Sequence, residues 1–411
     1  MHPDLSVRRI ERDAVYCATH GGTGVMNNKA HFDITVIGGG PAGIVAATHA
    51  ARQGRSVCLV DRKKIAGYPV RCGEAIGLKG FSSVVELNPA WIQSTITSMR
   101  LISPSGIRVT VPNDYGAYII DRAKMEQDIT EDAVKAGVTV IAETSIISVA
   151  RQNGDYICAA RTAEISSACV ILAEGVESRL ARRLGWSTAL APGDIHSCAF
   201  ARIIHADVIP DTCVFYLGEK HAPGGYVWVF HRGGNTANVG LGVLGSHCEA
   251  GMPKRLLLSF INKTFPGADM SELHCGGVPM GKWIKPLVRE GVMLVGDAGH
   301  MVNCVSGAGI AYALFSGKVA GTIAGKSFEN GVCRFEKLKD YERQWASHYG
   351  KQQLRSVSVK EIMVGFTDRF MDEMARAVTK SKNGKMNILR IFLRAFAKHP
   401  FHLWKVIRLL R

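Results

Sequence analysis

Eleven cysteines are scattered along the chain, an odd number, and no two of them stand in a CxxC spacing. That pattern argues against a disulfide framework and against a zinc or iron–sulfur site built from four thiolates, so no metal is expected. Free thiols belong to a reducing interior, and a cytoplasmic location is expected. No run of about eighteen uncharged, mostly apolar residues occurs, so no membrane-spanning helix is read. The N-terminus lacks the apolar stretch of a secretory signal. Residues 1–31 are mixed in character and read as a loosely docked extension. Internal repeats and low-complexity tracts are also missing. Acid is absent from the C-terminal end: after Glu373 come ten Lys or Arg and no Asp or Glu, so ten of the fifteen excess positive charges lie in the last 38 residues. Such a basic end suits nucleic acid or an anionic membrane surface.

What is present is globular. Hydrophobic residues make up 47% and charged residues 21% of 411, enough for two ordinary domains or one interleaved pair. Asp33 to Ile37 reads as a strand, Ile44 to Arg52 as a small-residue helix ended by Gly54, and Ser56 to Val60 as a second strand closed by Asp61. Together they form a βαβ unit of about 30 residues. Residues 62–82 read as a loop. Asp121 to Ala136 reads as a helix with Asp121 as N-cap. Val138 to Ile141 and Ala168 to Ala173 read as strands returning to the first sheet. From about Ser197 to Val243 the pattern alternates between glycine turns, which predicts an antiparallel sheet. Gly291 to Asp297 reads as a buried strand, followed by a helix from about Gly307 to Ala324, and the remainder as helical. The expected fold class is therefore α/β. A Rossmann-type dinucleotide domain is assembled from 32–85, 115–190 and 285–330. An inserted antiparallel substrate sheet comes from 86–114 and 191–284, and a helical C-terminal region from 331–411.

Gly38, Gly40 and Gly43 fit GxGxxG, with Pro41 and Ala42 inside the motif. The first glycine permits the tight turn, the second lets backbone approach a pyrophosphate, and the third lets helix pack on strand. The helix N-terminus then faces the negative charge. Asp61 lies 18 residues past Gly43, where a carboxylate can accept both ribose hydroxyls of an adenosine. A lone GxGxxG is a weak signal, but strand, turn, helix, strand and acid in this order read as a dinucleotide site. Gly296-Asp297 ends another strand and precedes Gly299, Gly307 and Gly309. A buried Asp there can hold a ribityl hydroxyl, and a glycine-rich helix start can aim N–H groups at a pyrophosphate or a flavin carbonyl. Alone, the same residues would make an ordinary capped turn.

Tyr226, Trp228 and Phe230 alternate and so face one side of a strand. Such a row suits an apolar ligand and an ordinary core equally. Cys72 stands in a glycine-rich loop beside Arg71. Free Cys is usually a plain buried thiol, although neighbouring positive charge can activate it. From Met386 to Arg411 apolar residues interleave with Lys and Arg, and Pro400 divides the stretch. This reads as a basic amphipathic helix pair for an anionic bilayer, with a docked helix carrying a solvated face as the alternative. No nucleic-acid motif accompanies the charge.

Four stretches resemble the geranylgeranyl reductase family of flavoproteins, within the wider group of p-hydroxybenzoate-hydroxylase-like folds. They are Ile37 to Gly43, Tyr68-Pro69-Val70-Arg71-Cys72-Gly73-Glu74, Pro223 to Phe230, and Val295 to His300. Asp121-Arg122 and Ala173 to Arg179 match more weakly, and the resemblance covers about residues 32–325. It implies FAD as cofactor, with Gly38, Gly40, Pro41, Ala42, Gly43, Asp61 and Arg62 around the ADP half. Arg122 would help at the pyrophosphate and Asp297 would hold the ribityl chain, while Arg71, Cys72, Gly307, Gly309 and Ile310 would sit nearer the flavin. Tyr226, Trp228 and Phe230 would line a prenyl cavity with Cys72 at its mouth. The chain departs from the family pattern at Glu174, at His231-Arg232 in place of Pro-Lys, and at Asn303-Cys304.

The expected activity is FAD-dependent reduction of C=C bonds in geranylgeranyl chains of an archaeal-type membrane glycerophospholipid. An isolated alkene accepts hydride poorly, so protonation toward a tertiary carbocation is expected, near Cys72 or Tyr226. No second GxGxxG marks a nicotinamide domain. Electrons would come from transiently bound NAD(P)H or from a reduced protein carrier. The protein is expected at the cytoplasmic membrane periphery. Two alternatives stay open: a flavin-dependent monooxygenase of a hydrophobic substrate on the same fold, and a prenyl-lipid carrier without redox chemistry.

Overall fold

The structure is a computed structural model and describes residues 29–271 and 273–379. Strand β1 (Lys29–Ile37) begins three residues before Phe32, because Lys29 to His31 pair in parallel with Glu164 to Ser166. The glycine turn leads into α1 (Pro41–Ala51), and β2 (Val57–Val60) lies parallel to β1. Residues 62–82, read as a loop, carry β3 (Ala75–Gly77) and the short helix α2 (Leu78–Ser82). Elements this short leave no periodic signal. A long hairpin follows, β4 (Ile92–Ile102) and β5 (Arg108–Ile120). Helix α3 (Arg122–Lys135) starts where its cap predicts: the Asp121 carboxylate accepts from the Lys124 N–H at 3.0 Å.

Strands β6 (Val138–Ile141), β7 (Ser148–Gln152), β8 (Asp155–Ala159) and β9 (Glu164–Leu172) precede the short helix α4 (Arg179–Arg183). The alternating region becomes β10 (Ile195–Ile204), β11 (Thr212–Leu217), β12 (Tyr226–His231) and β13 (Thr236–Leu244). Next come α5 (Met252–Thr264), β14 (Asp269–Met270), β15 (His274–Pro279), β16 (Val288–Arg289), β17 (Val292–Leu294) and α6 (Ile310–Lys326). A small hairpin, β18 (Phe328–Glu329) with β19 (Val332–Cys333), occupies the point where helix is expected to begin. The helices α7 (Phe335–Trp345), α8 (Lys351–Val364) and α9 (Asp368–Thr379) complete the described chain, with a π-helical stretch over 346–350.

Two large sheets result among the described residues. In the first, the order β16-β17-β9-β1-β2-β6 is parallel from β17 to β6, and β8 and β7 extend it antiparallel beyond β9. In the second, the order is β14-β10-β13-β12-β11-β4-β5-β3, with β15 also on β10. It is antiparallel except where β11 meets β4. Residues 75–77 and 117–120 pair in this second sheet, although the sequence division assigns them to the dinucleotide half. The chain crosses from one sheet to the other inside strands that periodicity cannot separate.

Two packing features position the site. Helices α1 and α6 run parallel in close contact. A Cβ at Gly317 would fall 2.2 Å from the Ala42 carbonyl oxygen, and one at Gly321 would fall 2.1 Å from that of Ala46. Glycines four apart thus let the two backbones touch, which brings both N-termini to the same end of the first sheet. In the second sheet, the pleat sends Ala199, Ala201, Val227, Val229, Val239 and Leu241 onto Leu257, Phe260 and Ile261 of α5. The opposite face is left to Cys213, Phe215, Trp228 and Phe230.

Candidate active site

The Gly38 to Gly43 turn is held from inside. Gly38 has φ +111°, and a Cβ there would lie 2.3 Å from the Ala173 carbonyl oxygen. A Cβ at Gly43 would lie 1.9 Å from the Gly38 oxygen. At Gly40 the reverse holds: a Cβ would meet nothing within 4 Å, so the backbone faces a cradle. Gly40 is also the N-cap of α1, with Pro41 in its first turn and no side chain on the free N–H groups. These are the features a pyrophosphate needs. Asp61 accepts from the Gly39 N–H at 2.8 Å and from the Lys63 N–H at 3.0 Å, so it braces the turn as well as bordering a cavity with Ile44, Leu59, Thr130 and Val140. Arg62 is exposed and lies 3.7 Å from Glu177.

At the other end stand Asp297 and the start of α6. Gly309 caps α6 without a side-chain bond, and Ile310 is the first helical residue. Gly307 has φ +68° in the turn before it, so the helix begins three residues later than the sequence pattern predicts. The Asp297 carboxyl is pushed up to about 6 by burial, with the Arg122 charge pulling the other way. Arg122 itself bonds Glu126 at 2.6 Å. Burial acts against its charge, yet the Glu126 carboxylate and the Cys72 sulfur outweigh it and hold the guanidinium above its ordinary value. The arginine that meets the thiol is thus Arg122 and not its neighbour Arg71, which is exposed. Cys72 also accepts from the Glu74 N–H at 3.2 Å.

The aromatic row faces this end. Tyr226, Trp228 and Phe230 stand in edge-on or tilted contact at 6.1 and 6.3 Å, and Phe215 touches both Tyr226 and Phe230 at 5.5 and 5.4 Å. Trp228 lies across Gly240, where a Cβ would fall 2.3 Å from its ring. Gly73 rests on Phe230 and Trp228, so the Cys72 loop closes over the row. The Tyr226 hydroxyl donates to the Ser306 carbonyl at 2.5 Å, beside Gly307. Burial pushes its phenol above the usual range, which keeps the proton on it.

Sequence reasoning missed Glu74 as a hub. Its carboxylate, 1% exposed, accepts from Arg232 at 2.7 Å, Asn238 at 2.8 Å and the Arg122 N–H at 3.0 Å. Arg232 also reaches Asp121 at 3.3 Å. The partners lie 158 and 164 positions from Glu74, so nothing local announces them. His231, the other departure from the family pattern, accepts at Nδ1 from the Asp211 N–H at 2.9 Å and meets Ser94 Oγ at 2.8 Å. Ser94, His231 and Asp211 are not a hydrolytic triad, because serine and aspartate meet the same ring nitrogen. Glu174 accepts from the Leu180 and Ala181 N–H groups at 2.9 and 2.8 Å and so caps α4 in place of the usual Asp.

The geranylgeranyl reductase catalytic domain matches residues 194–278, and an FAD-dependent oxidoreductase domain matches 33–176. A digeranylgeranylglycerophospholipid reductase of Methanothrix thermoacetophila is 36% identical, over 91% of this chain and 98% of its own. Another, from Methanococcoides burtonii, is 34% identical over 92% and 95%. The chain belongs to the digeranylgeranylglycerophospholipid reductase family. It is an FAD-dependent oxidoreductase. A geranylgeranyl bacteriochlorophyll reductase-like protein of Thermoplasma acidophilum superposes with a TM-score of 0.84 at 29% identity, over 93% of this chain and all of that one. A flavin-dependent brominase at 16% identity and a TM-score of 0.66 shares the fold. The cradle at Gly40, the two helix ends free of side-chain caps, Asp61 and Asp297 fit FAD.

Proposed function

We propose that this protein hydrogenates isolated C=C bonds in the geranylgeranyl chains of an archaeal-type glycerophospholipid. The observation that carries the reading is the aromatic row of Phe215, Tyr226, Trp228 and Phe230, which runs under the Cys72 loop toward Asp297 and the start of α6. FAD, when bound, supplies the hydride donor. The Gly38 to Gly43 turn, the α1 N-terminus and Asp61 would hold its ADP half, and Asp297 with the α6 N-terminus the other half. The aromatic rings keep water from the alkene, and their faces favour positive charge developing at a tertiary carbon. Cys72 and Tyr226 flank the place where the proton is delivered. Because the Tyr226 hydroxyl donates to the Ser306 carbonyl, its part is to hold the turn at Gly307.

Family membership favours this reading over a monooxygenase and over a carrier without redox chemistry. The direct test is anaerobic turnover of chemically reduced enzyme with a geranylgeranyl glycerophospholipid, followed by mass. A gain of two hydrogens per double bond is expected. Lipid that stays unchanged without oxygen and gains an oxygen atom in air with a nicotinamide donor would sink the reading. The electron source is NAD(P)H bound transiently or a reduced protein carrier.

The protein also works at the membrane periphery, on the cytoplasmic side. No helix of the described residues is long and apolar enough to cross a bilayer. The basic amphipathic stretch 386–411, which lies outside the described residues, supports surface contact. The full chain should float with anionic vesicles at low salt and sediment free of neutral ones. Equal recovery with both would remove the electrostatic argument.

A further inference from the structure

We infer that Glu74 and Arg232 form a buried positioning pair that locks the aromatic floor of the second sheet to the flavin-facing groups Cys72 and Arg122. The inference rests on the proposed reductase reading and assigns roles to residues which that reading leaves unused.

Geometry comes first. Glu74 takes φ +62°, a conformation non-glycine residues adopt only when their surroundings impose it. In that conformation its backbone ties two elements: its N–H donates to Cys72 sulfur at 3.2 Å, and its carbonyl accepts from the Ile120 N–H at 3.0 Å. Its side chain then gathers donors from three regions. Arg232 follows directly on the aromatic residues of β12, Asn238 lies on β13 opposite Phe230, and the Arg122 N–H opens α3. Arg202 of β10 adds a longer contact at 3.5 Å. Arg232 completes the tie by reaching Asp121, the cap of α3. Asn238 also donates to the Gly73 carbonyl at 3.1 Å, fixing the residue that rests on Trp228 and Phe230.

Chemistry follows from this arrangement. The side-chain bonds of the pair run to one another, to Asp121, to Asn238 and to the Arg122 N–H, so its role is to position rather than to react. It stands two residues from reactive and lining groups alike, Glu74 from Cys72 and Arg232 from Phe230, and both meet the start of α3 from which Arg122 projects. Arg232 alone is poorly accommodated. Burial and the nearby Arg202 lower its pKa, and Glu74 with Asp121 counters them. A buried charge of either sign without its partner would have to move or draw in water. Removing one member therefore displaces the loop and the helix start relative to the floor, and reacting groups displaced by about 1 Å lose about two orders of magnitude in rate. Guanidinium is needed rather than ammonium because two carboxylates from different elements must be met by one planar fork.

The test uses the flavin-loaded full chain with Glu74→Gln and Arg232→Lys. The reading is the single-turnover rate at which prenyl lipid reoxidises reduced flavin, expressed per bound flavin, beside the flavin absorption spectrum and the rate of flavin reduction by dithionite. Glu74→Gln is expected to lower the lipid-dependent rate about 100-fold while flavin reduction by dithionite is unchanged. Arg232→Lys, which keeps the charge and loses one arm of the fork, is expected to lower the same rate about 10-fold, and it carries the test if Glu74→Gln fails to fold. A variant that is less stable yet reoxidises at the parent rate per flavin would overturn the assignment and leave the pair a structural tie. Absence of lipid-dependent reoxidation in the parent protein would instead overturn the reductase reading on which the pair depends.

Discussion

Asp297 lies in the turn three residues past β17, feels the charge of Arg122 and carries a carboxyl raised from 3.8 to about 6 by burial. Between those two values the folded chain keeps a proton that the unfolded chain has released. Stability of the flavin-free protein therefore falls as pH rises through this window and is level above it. The drop is on the order of 1–3 kcal/mol, since the side chain is only partly covered. Thermal unfolding from pH 4 to pH 8 should show that slope, and Asp297→Asn should flatten it; an unchanged slope would place the titration elsewhere. Asp297 was legible in the sequence because Gly-Asp ends an apolar run and glycines follow. The same holds for Gly38, Gly40, Gly43 and Asp61, whose spacing is itself the requirement. Glu74 was visible within a quoted motif but had no role there, because its partners Arg232 and Asn238 come from distant strands. Arg71 drew attention by adjacency, while Arg122, fifty positions beyond Cys72, is the arginine whose charge meets the thiol.

At the scale of elements, the contact between α1 and α6 is the most demanding. Three glycines of α6, at 317, 321 and 325, lie against α1, and at Gly321 an added Cβ would sit 2.1 Å from the Ala46 carbonyl oxygen. Neither backbone can yield without moving a helix N-terminus. Gly321→Ala should gain a little helix propensity, yet lower stability by about 1–3 kcal/mol through overpacking and release flavin. Chemical denaturation and visible absorbance would check both; retained flavin at parent stability would mean the helices separate freely. The sequence announced α1 as a small-residue helix and α6 as a helix but not their mutual contact, since a four-residue glycine spacing says nothing of its partner. α3 was placed within a residue or two because Asp121 is a true cap. β3 and α2 were read as loop because a three-residue strand and a five-residue helix lie below any period that could mark them.

At the scale of the molecule, the C-terminal helices hold the two sheets from outside. Lys360 of α8, 6% exposed, donates to the Gly193 carbonyl, the Met280 carbonyl and the Asp194 carboxylate, each at 2.9 Å. It thereby joins α8 to the points where the chain enters β10 and leaves β15, the two ends of a long run of the second sheet. Lys360→Met should cost about 1–3 kcal/mol, less than a fully enclosed pair because Asp194 keeps part of its hydration. Limited proteolysis should then cut first within α8 or α9, and a cleavage pattern like that of the parent would argue against the anchor. The α/β class and the antiparallel insertion were legible from alternating and continuous apolar runs. The division of segments between the two sheets was not, because β5 runs on to Ile120 and the helix starts two residues later.

The pleat of the second sheet also separates two kinds of inheritance. Positions 227, 229, 239 and 241 answer to α5, and a change there is judged by whether the domain stands. On the proposed reading, positions 226, 228, 230 and 240 answer to the prenyl chain, and a change there is judged by which molecule fits. Because the two sets alternate along the same strands without sharing a neighbour, lineages descended from this chain can revise their choice of lipid one side chain at a time, with the scaffold beneath left as it was.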